Sequence, residues 1–216
     1  MATVQSGWKR LIFDLILARS FQGFFVRKDK TMKLNSTKLI TLIGIMTALS
    51  FVLYFFELPV GFILPQAAFL KIDFSDIPAI LISLSAGPIA GIVVELLKNI
   101  LHFMFLNKDG GFVGELANFA AGVSFLLPVA WIARKNFNYK TYLPALALGT
   151  VAMAATMAFV NYYITLPIWG IEDSAARINM INSALTPFNI VKGILMSIVI
   201  ILLYPRLQSV LKKIGR

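Results

Sequence analysis

The chain has no cysteine, few charged residues and none of the common motifs of hydrolytic enzymes. The absence of cysteine among 216 residues excludes disulfide bonds, thiolate metal sites and cysteine nucleophiles. No P-loop, His-Glu-x-x-His or Gly-x-Ser-x-Gly motif occurs, so no nucleotide-hydrolysing or hydrolase centre is recognisable. Charged residues make up 14% of the chain, against about 25% in an average soluble domain. The composition therefore excludes an ordinary soluble domain.

Apolar residues dominate the composition. They make up 58% of the sequence and form long stretches rich in Leu, Ile, Phe and Ala. Backbone polar groups in lipid must be satisfied within the chain, so these stretches are predicted to be helices. We predict an all-α, six-helix bundle that is integral to the membrane, with spans at 39–57, 76–87, 88–106, 114–134, 142–168 and 186–206.

The second predicted span is the shortest. Asp76-Ile77-Pro78 is typical of a helix start, and Gly87-Pro88 of a stop followed by a new start. Residues 77–86 are too few to cross a hydrocarbon core upright. We therefore expect this segment to be a buried, partly shielded helix.

The basic residues predict the orientation of the bundle. Eight Lys and Arg precede the first span, three separate the fourth from the fifth, and four follow the sixth, which accounts for 15 of the 20. With an even number of spans these segments lie on one side, which the positive-inside rule identifies as cytoplasmic. Both termini are predicted in the cytoplasm of a multi-pass cell-membrane protein. The net charge of +10 is then a signal of topology and lipid contact, not of nucleic-acid binding.

Residues 1–31 have an amphipathic pattern. Trp8, Leu11 and Leu15 share a helical face with Ile12 and Ile16, as in a helix that lies on the inner membrane surface. The alternative is that Met32 is the true start and the leader is an extension. No small-residue cleavage site follows, so the segment is not interpreted as a signal peptide. We predict a leader over 1–31 and one substrate-binding membrane domain over 32–216.

Four apolar spans carry short polar stripes at helical spacing. The stripes are Glu95, Lys98, Asn99 and His102; Glu115 and Asn118; Asn161 and Thr165; and Asn189 and Lys192. In the predicted threading all four point to the outer half of the membrane. Polar groups at membrane depth are costly unless they face a cavity or one another. The stripes therefore predict a solute-binding pocket open to the outside.

Each stripe also has a structural interpretation. Glu95 and Lys98 are three residues apart and can neutralise each other. Glu115 and Asn118 can serve as cap and first-turn residues, and Asn161 and Thr165 as hydrogen bonds between helices. A lone histidine such as His102 is more often an interfacial or packing residue than a metal ligand or proton relay; no metal site is predicted.

Lys192 is the hardest of these residues to explain structurally. Its ammonium lies about two turns inside an apolar helix, and no carboxylate occurs three or four residues away. A buried ammonium without a partner is costly. We expect its partner to come from another helix or from a ligand.

The first span has a face of small residues. Thr41, Gly44 and Ala48 are spaced by three and four residues in its cytoplasmic half. Such a face permits close approach of another helix. Packing inside the bundle is the alternative to docking of a partner.

Three motifs in this order resemble a known family. They are 187–193 (Pro-Phe-Asn-Ile-Val-Lys-Gly) in span six, 71–78 (Lys-Ile-Asp-Phe-Ser-Asp-Ile-Pro) before span two, and the Gly87-Pro88 break followed by Lys98-Asn99. With six spans in about 185 residues, residues 36–210 resemble the riboflavin-specific S component of energy-coupling-factor (ECF) vitamin transporters.

The resemblance implies a function and partners. It implies an outward-open bundle that captures riboflavin and then docks on a transmembrane coupling protein, which two cytoplasmic ATPases drive. No cofactor is expected. Gly44 and Ala48 match the family's Ala-x-x-x-Ala docking motif, with Gly in place of the first Ala. The loop at 58–72 matches the family's lid by position. The ligand-contacting residues expected on this basis are Asn161, Asn189, Lys192, Asn99, Lys98 and Glu95 in the bundle, and Leu64, Phe69 and Leu70 in the lid.

Other function classes fit the sequence less well. A membrane enzyme acting on a lipid or prenyl substrate needs a metal or acid–base cluster, and Asp73 with Asp76 is a weak pair. A self-sufficient secondary transporter needs coupling-ion sites and often two related halves, and neither is visible. An S component for another vitamin, or for FMN instead of riboflavin, stays open. We predict a transport subunit and not an enzyme.

Overall fold

A computed structural model describes residues 36–62, 65–67, 70–106, 111–134 and 138–214, with no side-chain placement for Ser36, Gln66 and residues 208–214. These residues belong to one compact unit, Met32–Arg216. The predictions for the leader at 1–31 and for Leu64 and Phe69 lie outside the described residues.

Helices make up most of the described chain. They are α1 (Ser36–Tyr54), α2 (Asp76–Ser85), α3 (Pro88–Phe105), α4 (Val113–Ala133), α5 (Tyr139–Ile168) and α6, which is built from Ser174–Met180, Ile181–Leu185 and Thr186–Ile214. Between α1 and α2, β1 (Leu58–Pro59) pairs antiparallel with β2 (Lys71–Ile72), and a 3-10 turn covers Pro65–Ala67.

Five of these helices are long and apolar enough to cross a membrane. They contain the stretches Thr37–Tyr54, Pro88–Phe105, Val113–Ala133, Tyr139–Ile168 and Ser174–Leu207. Helix α2 has ten residues and is buried from Asp76 to Leu84, as expected for a short, shielded helix. The structure therefore supports a multi-pass helical membrane protein. The count of six spans and the cytoplasmic position of both ends stay predictions.

A tight turn packs α2 against α3. Gly87 has φ of +119°, a backbone conformation that suits glycine, and Pro88 begins α3. A Cβ on Gly91 would lie 2.7 Å from the Ala79 carbonyl oxygen, so only glycine permits this separation of the helices. The close packing holds the start of α2 beside the middle of α3.

Helix α6 begins at Ser174 and not at residue 186. The Asp173 side chain caps it by accepting a hydrogen bond from the Ala176 backbone N–H at 2.7 Å. The exposed polar residues of this first segment look like a loop in the sequence. Arg177 anchors the segment, since its Nε donates to the Ile171 carbonyl at 2.6 Å.

The main core lies between α2, α4, α5 and α6. Ile80, Phe125, Met153, Met196 and Ile200 are completely buried there. Large apolar side chains also cover the outside of the bundle, among them Ile45, Trp131, Val151 and Leu202. An apolar exterior is what contact with lipid tails requires.

Candidate ligand-binding site

Four helices and the segment before α2 enclose a cavity of about 260 Å³, which we call the inner cavity. Its polar lining includes Tyr54, Asp73, Asn118, Asn161, Thr165, Asn189 and Lys192. Its apolar lining includes Leu70, Ala121, Met157, Leu185 and Phe188. An apolar pocket with a few fixed polar groups is the usual form of a small-molecule site.

A second cavity of about 680 Å³ adjoins the first, and we call it the vestibule. His102, Glu115 and Trp169 line it, and Glu57 and Lys71 line both cavities. The Lys71 ammonium lies 2.6 Å from the Glu57 carboxylate. Because Glu57 precedes β1 and Lys71 lies in β2, this ion pair joins the two ends of the intervening loop.

A buried carboxylate connects three helices beneath the inner cavity. Asp76, in the first turn of α2, contacts the Lys98 ammonium of α3 through Oδ1 and the Lys192 ammonium of α6 through Oδ2, the latter at 2.9 Å. Lys98 also donates to the Ser75 hydroxyl at 2.8 Å and lies 2.9 Å from Glu95. The Asp76, Glu95 and Lys98 side chains have no solvent exposure. Such pairs persist in a low-dielectric interior because removing one member leaves a bare charge.

Lys192 therefore has the partner from another helix that its sequence context predicts. Besides Asp76, its ammonium donates to Asn118 Oδ1 at 2.8 Å, and Asp73 Oδ2 lies 3.9 Å away. The side chain is 4% exposed and lines the inner cavity. An ammonium has three N–H donors, so two are engaged by the protein at short distance and one is left for a further acceptor.

Asn118 continues this network toward α1. Its Nδ2 donates to the Tyr54 hydroxyl at 2.7 Å and to Asn99 Oδ1 at 3.3 Å. The Tyr54 ring stacks on His102 with a centroid distance of 3.7 Å, and His102 Nδ1 lies 2.7 Å from Glu115 Oε1. Because the Tyr54 oxygen accepts from Asn118, its own proton is available to a further acceptor.

Two π-helical turns border the inner cavity, at Asn161–Thr165 in α5 and Ile181–Leu185 in α6. The Leu185 carbonyl accepts a hydrogen bond from Asn189 Nδ2 at 2.7 Å. This bond orients the amide, so that Asn189 Oδ1 is its remaining acceptor. Among the described residues, the buried Thr165 hydroxyl has no hydrogen-bond partner. Single π turns of this kind occur often at functional sites.

The predicted ligand-contacting and partner-docking residues fall into four groups. Asn161, Asn189, Lys192 and Leu70 line the inner cavity. Glu95, Lys98 and Asn99 are buried outside the described lining, behind the cavity wall. Leu64 and Phe69 lie outside the described residues. Gly44 and Ala48 lie on the exposed face of α1.

Sequence reasoning did not place Asp76 or Tyr54 at the site. Asp76-Ile77-Pro78 has the pattern of a helix start, and this interpretation left the charge of the carboxylate unused. The available signal was the charge balance, because the two buried lysines Lys98 and Lys192 require a second carboxylate besides Glu95. Tyr54 ends an apolar span and has no distinguishing pattern.

Comparison with known proteins identifies the family of the chain. A family model described as "ECF transporter, substrate-specific component" matches residues 38–204. The chain belongs to this family. The resemblance inferred from the motifs is thereby confirmed at the family level.

Individual members of the family are similar over most of the chain. The Riboflavin transporter RibU of Staphylococcus aureus is 38% identical over 190 residues, which cover 86% of this chain and 98% of that protein. The Riboflavin transporter FmnP of Bacillus subtilis is 37% identical over 179 residues, covering 79% and 92%. A solved S component of a bacterial ECF transporter superposes with a TM-score of 0.70 at 39% identity, covering 82% of this chain and 99% of that one.

Proposed function

We propose that this chain is the riboflavin-binding subunit of an ECF-type vitamin importer in the cell membrane. The observation that carries the proposal is the inner cavity, where Asn161, Asn189 and Lys192 converge within an apolar lining. Two relatives that are more than a third identical over most of their length are riboflavin transporters by name. Riboflavin is then cargo and not a cofactor, and the subunit transports without catalysing a reaction.

The donors and acceptors of the cavity suit a flavin. The pyrimidine edge of an isoalloxazine presents two carbonyls on either side of an N–H. Lys192 has one N–H left for a carbonyl oxygen, and Asn189 Oδ1 can accept from the ring N–H. Asn161 and the Thr165 hydroxyl, which has no hydrogen-bond partner in the described part of the chain, remain for the other carbonyl or for ribityl hydroxyls.

Apolar groups complete the site. Leu70, Met157, Leu185 and Phe188 line the inner cavity, where they can pack against the dimethylbenzene part of the ring system. Burial of apolar area stabilises binding by about 25 cal/mol per Å². Leu64 and Phe69 stay predicted lid residues over the ring, in the loop whose ends the Glu57–Lys71 ion pair joins.

The partner surface is the exposed face of α1. A Cβ added at Gly44 would meet nothing within 4 Å in the described chain outside its own helix, and Ala48 is exposed one turn away. Small residues let another helix approach closely. We assign this face to the transmembrane coupling protein, which two cytoplasmic ATPases drive, in a six-helix arrangement with both chain ends in the cytoplasm.

Ligand titration of the detergent-purified protein tests the proposal. We expect a yellow ligand to co-purify, or riboflavin fluorescence to be quenched at stoichiometric protein. Thiamine added under the same conditions should not change this quenching. A colourless protein that leaves flavin fluorescence unchanged would exclude riboflavin as the ligand. If riboflavin fluorescence is quenched and thiamine has no effect, riboflavin is assigned as the substrate, and the coupling module is the next subject to test.

A further inference from the structure

Asp76 is a single carboxylate between two ammonium groups, and only one of these lines the ligand cavity. Lys98 contacts one of its oxygens and Lys192 the other. Lys192 lines the inner cavity, whereas Asp76 and Lys98 are fully buried outside its described lining. The carboxylate is therefore placed to affect a ligand only through Lys192.

We infer that Asp76 is a positioning residue for ligand binding, which holds the Lys192 ammonium at the cavity wall with one N–H directed at the ligand. The inference rests on the proposed function for the identity of the ligand. It adds that Lys98, by pairing with the second oxygen of Asp76, limits how tightly the carboxylate pairs with Lys192 and so leaves one N–H of Lys192 available to the ligand.

The contacts of Lys192 explain why its position needs support. A lysine side chain has four rotatable bonds and a compact charge that orients poorly by itself. Asp76 at 2.9 Å and Asn118 at 2.8 Å fix two directions around the nitrogen. Asp73, which lines the inner cavity, lies 3.9 Å from the same nitrogen. Without Asp76, Asp73 is the nearest carboxylate, and pairing with it would turn the remaining N–H away from the ligand.

Lys98 is itself held in place from behind. Its ammonium contacts the Ser75 hydroxyl and Glu95, and Glu95 fits against α4 because Gly122 has no side chain. Two ammonium groups divide the charge of Asp76 between them. Removing Lys98 would leave Lys192 as the cation on Asp76 and would tighten that pair at the expense of the ligand.

A double-mutant cycle on the full-length protein separates this role from a structural one. Riboflavin dissociation constants are measured by fluorescence quenching for the native protein, Asp76→Asn, Lys192→Met and the double variant. We expect Asp76→Asn alone to weaken binding on the order of tenfold or more. In the Lys192→Met background the same change should have no further effect, because Asp76 acts through Lys192. If the double variant raised the dissociation constant by the product of the two single effects, the inference would be overturned.

The absorption spectrum of the bound flavin provides a second readout. An ammonium beside the pyrimidine edge shifts the visible band of the ring, so Asp76→Asn should move the band of the flavin that stays bound. An unchanged band with lower affinity would indicate a structural role and overturn the inference.

A neutral double replacement covers the case in which Asp76→Asn does not fold. Lys98→Met with Glu95→Gln removes one charge of each sign, and buried pairs replaced together are tolerated better than single charges. We expect this variant to elute as a single species on size exclusion and to bind riboflavin severalfold more weakly. Native affinity would overturn the role of Lys98. If the native protein itself fails to quench riboflavin, it is the proposed function that is overturned.

Discussion

Asn118 accepts a hydrogen bond from Lys192 at 2.8 Å and donates one to the Tyr54 hydroxyl at 2.7 Å, so one amide of α4 joins α6 to α1 at the cavity wall. An amide has both a carbonyl oxygen that can accept from an ammonium and an NH₂ group that can donate to a hydroxyl. Three helices are thus connected where the ligand is proposed to bind.

Asn118→Ala should weaken riboflavin binding by about 1–3 kcal/mol, because it removes one of the two short contacts of the buried Lys192 ammonium and the hydrogen bond that the Tyr54 hydroxyl accepts. Fluorescence titration measures the loss. Asn182→Ala is the matched control, since Asn182 is exposed on α6 and should bind riboflavin like the native protein. Equal affinities of the two variants would remove Asn118 from the site.

Lys192→Ala should reduce riboflavin affinity by about 2 kcal/mol or more, because a charge-assisted hydrogen bond to the ligand is lost and Asp76 is left with Lys98 alone. Lys140→Ala removes an exposed lysine near the start of α5 and serves as the control. The same quenching assay compares them. Undiminished binding by Lys192→Ala would contradict a direct contact between this ammonium and the ligand.

The sequence predicted the helical membrane bundle well because the length of an apolar stretch is a local signal. It also predicted that Asn161, Asn189 and Lys192 converge, since helical spacing places them on inward faces. It did not separate Lys98 from Lys192, although one lies behind the cavity and the other lines it. That distinction depends on how α2 packs against α3 and α6, which no local pattern encodes. Asp76 is a different case, because the charges of Lys98 and Lys192 call for a further acid in the sequence, whereas the helix-start pattern explains Asp76 without using its charge.

Gly122→Ala should destabilise the bundle by about 1–3 kcal/mol, because the new methyl group would lie 2.5 Å from Glu95 Oε2 and Lys98 holds that carboxylate in place. Gly114→Ala on the same helix is the control, since a Cβ there would meet nothing within 4 Å in the part of the chain that the structure describes. Thermal unfolding in detergent should show a lower midpoint for Gly122→Ala alone. Equal midpoints would show that Glu95 can move freely.

Ala48→Leu should impair riboflavin uptake by cells while the isolated subunit still binds riboflavin, because the added side chain blocks close approach of a partner helix to α1. Uptake of labelled riboflavin and quenching by the purified variant measure the two properties separately. Ala155→Leu makes the same change on an exposed position of α5 and should leave both intact. Full uptake by Ala48→Leu would exclude this face as the docking surface.

Riboflavin should bind about tenfold more tightly than FMN, because Lys71, the described lysine that lines the vestibule, is already paired with a carboxylate. The Lys71 ammonium lies 2.6 Å from the Glu57 carboxylate. A phosphate at the vestibule would therefore meet the Glu57 carboxylate beside its nearest ammonium. Glu57→Gln removes that negative charge and should raise FMN affinity relative to riboflavin, whereas Glu172→Gln, at an exposed position that is not among the described lining residues, should leave the ratio unchanged. Parallel titrations with both flavins decide the question, and equal affinities for the native protein would show that the ion pair opens to accept phosphate.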